Sequence, residues 1–417
     1  MKICVLGAGV VGVSTAYALA RLGHEVIVID KAKEVAAGAS HANGAQLSYS
    51  HVDPFSGPDA IKKLPGYLLG TDPAIQLGLS LKPDYLKWGL SFLRNCNAAR
   101  FKENKKARLT LARLSREAIT AFERDLPENA LRRTGQGKLV IAQTQSDNDA
   151  MMQREGSDGF VEHGQRYLTA AECREVEPAL AGWQGALLGG IYSPHDNALD
   201  PVTYCKVLRK ACEDKFGVKF NFRQTIQNIE TTSARNFGVR TNIEMHDCDK
   251  VIVCLGNNPN PLLKPFGVKV PIYPMQGYSL TAPLSTQSPT TSITDLKNKL
   301  VFANLGSHMR IAGFVDANQS VKKIKARGEL LLDIAKQHWP IAANFEGPIT
   351  HWTHYRPMTP SGVPVIGESK VQGLYLNAGH GSLGYTFAAG SAMQIASAIG
   401  HAHKNTVKPK GREDAFN

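Results

Sequence analysis

The first thirty residues constrain this chain more than any other stretch. An apolar run, Ile3-Cys4-Val5-Leu6, leads into Gly7-Ala8-Gly9-Val10-Val11-Gly12; a helical stretch then runs to Leu22, and a second apolar run from Glu25 to Ile29 closes on Asp30. Strand, glycine turn, helix and acid-tipped strand make the βαβ unit that holds the ADP half of a dinucleotide. Gly7 permits the tight turn, Gly9 lets a pyrophosphate approach the backbone, and Gly12 lets the helix pack closely on the strand. The helix start then offers unpaired N–H groups and its positive dipole end to the phosphates. Asp30 lies eighteen residues after Gly12, where a carboxylate accepts hydrogen bonds from a ribose 2′-hydroxyl and repels a 2′-phosphate. FAD or NAD is therefore favoured over NADP, with Lys31 beside the same contact.

Residues 3–20 carry no charge, so a secretory leader and a membrane span compete for the segment. The glycine spacing and the helix-to-strand continuation have no role in a leader, and the glycines, Ser14 and Thr15 dilute a span. At 417 residues and 43% hydrophobic, the chain suits two intimately joined domains. Its seven cysteines show neither C-x-x-C nor zinc-type spacing, as expected of reduced cytoplasmic thiols, and no metal is indicated. Part of the formal charge of +12 is local: seven Lys or Arg lie in 100–116 against Glu103 alone. Apolar residues recur there at helical spacing, which reads as an amphipathic helix with a solvated basic face. Contact with an anionic membrane surface is the functional alternative. No nucleic-acid-binding motif accompanies the charge.

After the βαβ unit, small and polar residues fill 36–50, and Pro- and Gly-punctuated sequence continues to about Pro83. Helical patterns run to Leu126, followed by a strand at 137–142, a short acidic helix at 168–180 and a strand at 185–192. A helix over 201–215 precedes strands at 218–222 and within 226–240, then a buried strand at 250–255 ending at Gly256. Segments 270–281, 309–314 and 352–356 read as a second sheet. A strand at 373–377, a glycine turn and a long helix over 385–399 close the chain. The expected class is α/β, α+β overall: a Rossmann-like FAD-binding domain from 1–80, 180–265 and 350–417, and a second, mostly antiparallel substrate domain from 81–179 and 266–349. In the closing turn, Gly379-His380-Gly381-Ser382-Leu383-Gly384-Tyr385-Thr386, a second helix opens after a strand. Its N-terminus suits the N1–C2=O edge of a flavin, which becomes negative on reduction; a purely structural turn is the alternative.

These motifs, in this order, resemble those of the bacterial FAD-dependent D-amino-acid dehydrogenases, within the superfamily of D-amino-acid, glycine and sarcosine oxidases. The matches run nearly end to end: Gly7 to Gly12 with Asp30; Ser40-His41-Ala42-Asn43-Gly44-Ala45-Gln46; Asn95-Cys96; Glu177-Pro178-Ala179-Leu180; Tyr273 to Ser279; Tyr355 to Gly362; and Gly379 to Gly384. The resemblance implies oxidation of an amino acid at Cα by hydride transfer to flavin N5, and hydrolysis of the imino acid to a 2-oxo acid and ammonia. It also implies non-covalent FAD, and a peripheral protein on the inner face of the cell membrane that passes electrons to a quinone or other acceptor. An O₂-using glycine or sarcosine oxidase is the alternative, and a flavoprotein subunit without turnover is a further one.

Cofactor contacts implied by the resemblance are Ser40, Asn43, Gln46 and Leu47, then Gly256 and Gly362, and then Gly381, Ser382, Leu383, Gly384, Tyr385 and Thr386. Arg356 matches the arginine that binds the substrate carboxylate, a task suited to a planar bidentate donor. Tyr278 either adds a phenolic hydrogen bond to that carboxylate or lines the pocket, and His380 lies near flavin or substrate. No general base is required, because the lone pair of a neutral amine drives hydride departure. For Tyr49 and His51, pocket and surface positions both stay open. Ser361 stands where relatives commonly carry Asp. His41 replaces a small residue, with a covalent histidyl link as the minor alternative. No cysteine follows Cys254, which excludes a late cysteinyl link.

Overall fold

The computed structural model describes residues 1–134, 137–155, 164–232, 236–318 and 320–406. The β-branched runs Lys2–Leu6, Glu25–Ile29 and Lys250–Val253 are buried beyond their first residues, so they need cover on both faces. They form the middle of a six-stranded sheet in the order Val365–Glu368, Leu374–Ala378, Lys250–Val253, Lys2–Leu6, Glu25–Ile29, Lys219–Asn221. All pairs are parallel except the one at the Val365–Glu368 edge. Leu6 lies opposite both Ile29 and Val253, which brings Gly7, Asp30 and Cys254 level at the carboxyl ends of the strands, where open parallel sheets bind ligands.

Helices Val10–Ala20, Pro201–Phe216 and Gly384–Thr406 pack over one face, and Ala98–Glu123 packs against Gly384–Thr406. A three-stranded meander, Ile226–Thr231, Phe237–Thr241 and Met245–Cys248, shares a core with the other face. The basic helix thus belongs to this first core through Leu111, Ile119 and Phe122, although the expected division puts it in the substrate domain. Amphipathic spacing identifies the face that is buried and not what it is buried against. Arg108, counted with the basic face, is itself buried and donates to the carbonyls of Val52 and Gly362.

Among the described residues the second sheet has nine strands. Its path runs Thr350–Met358, Tyr273–Pro283, His308–Ala317, Leu300–Asn304, Ser292–Asp295, Lys138–Ala142, Gly189–Ser193, Arg166–Thr169, with Ile75–Leu77 beside His308–Ala317. It is antiparallel apart from the Ser292–Asp295/Lys138–Ala142 and His308–Ala317/Ile75–Leu77 pairs. Helix Val321–His338, which periodicity did not single out, packs on this sheet through Leu331 and Ala335. Gly189–Ser193 and Thr350–Met358 hydrogen-bond in this sheet, outside the segments that the expected division gave it. The punctuated stretch before Pro83 also contains a helix, Pro58–Leu69, begun by proline in its first turn. No helix among the described residues is long and apolar enough to cross a membrane.

The helix crossing over Ala98–Glu123 depends on Gly390, whose N–H donates to Ser115 Oγ at 3.1 Å. A Cβ there would come within 2.6 Å of the Leu111 carbonyl oxygen. Gly390→Ala should cost roughly 1–3 kcal/mol, read as a lower thermal midpoint. Gly400→Ala in the same helix, where a Cβ meets nothing within 4 Å, should be neutral or stabilise by up to about 1 kcal/mol.

Candidate active site

The carboxyl ends of the first sheet and the face of the second enclose one cavity of about 1170 Å³. On the first-sheet side, Gly7 adopts φ +107°, and a Cβ there would lie 2.6 Å from the Cys254 carbonyl oxygen; a Cβ on Gly12 would lie 1.8 Å from that of Gly7. The turn therefore accepts glycine alone at both places, and it sets Gly9, Val10 and Val11 in the cavity wall. The first intrahelical bond is Val13 N–H to the Gly9 carbonyl at 2.9 Å, so the preceding amides need other partners. Ser40 Oγ accepts one of them, Val10 N–H, at 3.1 Å. Asp30 is fixed at its strand end by Ala8 N–H on Oδ2 and Ala32 N–H on Oδ1, both at 2.7 Å, and Lys31 lines the cavity beside it.

Ser40, Asn43 and Gln46 reach the cavity from the loop after Asp30. Asn43 Oδ1 accepts Ala45 N–H at 2.8 Å, and Gln46 Nε2 donates to Ser292 Oγ at 2.7 Å, tying this loop to the second sheet. Across the cavity, Leu374–Ala378 leads through the turn Gly381–Leu383 into the long helix, setting Gly381, Ser382, Leu383, Gly384 and Tyr385 in the wall with Gly256. Five expected contacts stand behind the wall. Ala8 donates to Asp30, Gly12 packs on Gly7, and Leu47 is core. Thr386 Oγ1 accepts Ser48 N–H at 3.0 Å, and the Gly362 carbonyl accepts from Arg108.

From the second sheet, Arg356 and Tyr278 come from the paired strands Thr350–Met358 and Tyr273–Pro283, and Met358 bridges to His380. All three expected residues line the cavity. Arg356 Nη1 donates to the Phe314 carbonyl at 2.6 Å. Its Cζ would be 2.4 Å from a Cβ on Gly277, so the guanidinium lies against bare backbone. No carboxylate among the described residues forms a salt bridge with it. Burial brings its pKa down to about 10, and it stays charged at neutral pH. Tyr278 donates its single hydroxyl proton to Asp316 Oδ2 at 2.8 Å, and Arg327 closes the same carboxylate at 2.7 and 2.8 Å. Of the two readings of Tyr278, the geometry leaves that of a lining residue.

Five residues along the cavity carry a buried polar atom with no hydrogen-bond partner among the described residues: His380 Nε2, Asn377 Oδ1, Asn257 Oδ1, Trp352 Nε1 and the Tyr385 hydroxyl. Burial pushes the His380 pKa down to about 3, so the ring is neutral. A half-buried guanidinium that forms no salt bridge among the described residues, and unpaired polar atoms in the same cavity, suit a polar, anionic ligand. Lys138, which the sequence reading missed, heads the apolar strand Lys138–Ala142 and lines the cavity, donating to Ser48 Oγ at 2.8 Å. Burial lowers its pKa to about 8, opposed by Asp196, whose own pKa burial raises to about 6. A lysine opening a run of buried aliphatics was the available signal. His51 lines the cavity with Nε2 3.1 Å from Ser193 Oγ, whereas Tyr49 is in the core. His41 packs against Trp352 with the rings tilted by 46° and their centroids 4.6 Å apart, and is not part of the wall. Ser361 Oγ accepts Val363 N–H at 3.2 Å and closes its own turn.

Unfolded, the His380 ring takes up a proton below its usual value of 6.5; folded, it does so only below about 3. Between these values the unfolded chain binds the additional proton, so stability falls as pH drops through that window. In denaturant titrations, His380→Gln should flatten this part of the acid limb relative to wild type.

A family model described as FAD dependent oxidoreductase, or DAO, matches residues 2–398. The chain is 36% identical over 409 residues to D-amino acid dehydrogenase 2 of Ralstonia nicotianae, covering 96% of each. It is 35% identical over 407 residues to D-amino acid dehydrogenase of Phenylobacterium zucineum, covering 96% of this chain and 94% of that one. Among solved structures, glycine oxidase from Bacillus cereus aligns with a TM-score of 0.71 at 20% identity, over 96% of this chain and 95% of the other. L-proline dehydrogenase from P. horikoshii aligns at 0.69 and 16% identity, over 96% and 93%; these two likenesses are of fold. With the family match spanning nearly its whole length, this chain belongs to the DAO family of FAD dependent oxidoreductases.

Proposed function

We propose that this chain is a D-amino acid dehydrogenase: it oxidises the Cα–N bond of a D-amino acid to an imino acid, which water hydrolyses to a 2-oxo acid and ammonia. The observation that carries this reading is Arg356, a half-buried guanidinium in the cavity wall that forms no salt bridge among the described residues. A free amino acid brings the carboxylate it lacks, and a planar fork holds that group in two parallel bonds. The curated relatives' names supply the D-configuration. The glycine oxidase likeness, at 20% identity, does not favour an O₂-using oxidase.

The residues present fit FAD. Asp30 offers carboxylate lone pairs for ribose hydroxyls at one end, the turn at Gly9 to Val11 presents a helix start for the phosphates, and the Gly381–Gly384 turn lies across the cavity. His380 and Asn377 hold polar atoms that a ligand there would satisfy. When bound, flavin supplies a two-electron, hydride-accepting ring. The chain's own part is positioning. Arg356 fixes the carboxylate, neutral His380 can give or take one hydrogen bond without adding charge, and Phe314 and Tyr278 make a wall that excludes water. A quinone or similar carrier met at an anionic membrane surface is the acceptor we favour, supported by the dehydrogenase relatives and the formal charge of +12.

Purified enzyme should convert D-alanine to pyruvate and ammonia with a soluble dye as acceptor. A rate in air, with peroxide formed, equal to the dye-linked rate would favour the oxidase instead. Arg356→Met should raise KM roughly thirtyfold or more at unchanged flavin content, and Arg356→Lys should recover only part; an unchanged KM would remove Arg356 from the substrate site.

A further inference from the structure

Large apolar side chains left in water concentrate in one segment. Leu69, Leu79 and Leu81 are 79%, 82% and 89% exposed, and Ile61, Leu90 and Leu93 are also exposed. They lie on helices Pro58–Leu69 and Pro83–Asn95 and on the turn between them, and Pro83–Asn95 contains no buried residue. Its apolar positions therefore have no full cover within the chain, and so dense an exposed cluster marks an interaction surface. Lys62, Lys63, Lys82, Lys87 and Arg94, on the same elements, are all exposed. Residues 55–106 hold nine Lys or Arg against four Asp or Glu. Those four acids, Asp59, Asp72, Asp84 and Glu103, each sit within 4.0 Å of a basic nitrogen, so the remaining cations set the sign of the rim.

Between the two helices lies an apolar groove of about 1040 Å³. Phe55, Ile75, Lys299 and Val315 line both it and the main cavity. Ala98 and Phe101, at the start of the basic helix, line the groove as well.

We propose that this surface seats in the headgroup layer of an anionic bilayer, its leucines among the acyl chains and its lysines at the phosphates. The groove then lies between the membrane contact and the flavin cavity, placed to admit an acceptor dissolved in the bilayer. This step rests on the reading of a membrane-borne acceptor and adds which surface meets the membrane. The charge of the rim selects the occupant: a second copy of this chain would bring like charges together, whereas acidic lipid headgroups complement them.

The test is sedimentation of the holoenzyme with phosphatidylglycerol-rich vesicles and with vesicles of phosphatidylcholine alone. Wild type should bind the first, more weakly as salt rises, and not the second. The double variant Leu79→Asp/Leu81→Asp should lose binding more than about tenfold, while its oxidation of D-alanine with a water-soluble dye stays at the wild-type level. Unchanged vesicle binding by the double variant would overturn the proposal. So would a wild-type dimer that ignores vesicles and dissociates on the double substitution. Salt-sensitive vesicle binding by an enzyme that does not oxidise D-alanine would uphold the surface and sink the substrate reading.

Discussion

The turn from Gly7 to Gly12 leaves no room for a side chain at either glycine, and the arrangement of the site follows from it. With Leu6, Ile29 and Val253 level in the parallel sheet, the helix must begin immediately above the strand ends, and only bare backbone allows that approach. Asp30 can then accept Ala8 N–H, locking the second strand to the same turn. Ser40, reaching in from the following loop, accepts Val10 N–H and holds that loop down. Because Gln46 in turn grips Ser292, the glycine turn also anchors the second sheet over the cavity.

The second sheet handles charge in two opposite ways. Asp316, Arg327 and Tyr278 form a closed set in which each polar group already has its partner; a buried set of this kind positions neighbours and binds nothing. Arg356 stands close by and donates to the backbone carbonyls of Phe314 and Gly313. Lys138 adds a second cation, this one buried, held on Ser48 and drawn by Asp196. Such cations in the wall favour a carboxylate or a diphosphate in the cavity.

The motifs legible in the sequence are those in which local chemistry determines local shape. The βαβ unit, the closing turn at Gly379 to Gly384 and the presence of Arg356, Tyr278 and His380 in one cavity fall in this class. Relations between distant segments are different. Helix Ala98–Glu123 shows its buried stripe in sequence, but only Gly390 and Ser115 together reveal that the partner is the last helix. Pro58 and Pro83 read as loop punctuation because proline in a first turn and proline in a loop look alike in sequence. Strands Ser292–Asp295 and Leu300–Asn304 are too short for their alternation to stand out. Lys138 was hidden because a lysine at the head of a strand is usually exposed.

In the proposed reaction one cavity holds flavin and the carboxylate of a D-amino acid, with Arg356 between the second sheet and the substrate. An anaerobic titration of the holoenzyme, followed by flavin absorbance, distinguishes this arrangement from its rivals. D-alanine should bleach the oxidised flavin bands of the wild type at low concentration, L-alanine should leave them oxidised, and Arg356→Met should need far more D-alanine. Bleaching by glycine, sarcosine or L-alanine in preference to D-alanine, or an equal response in Arg356→Met, would contradict it.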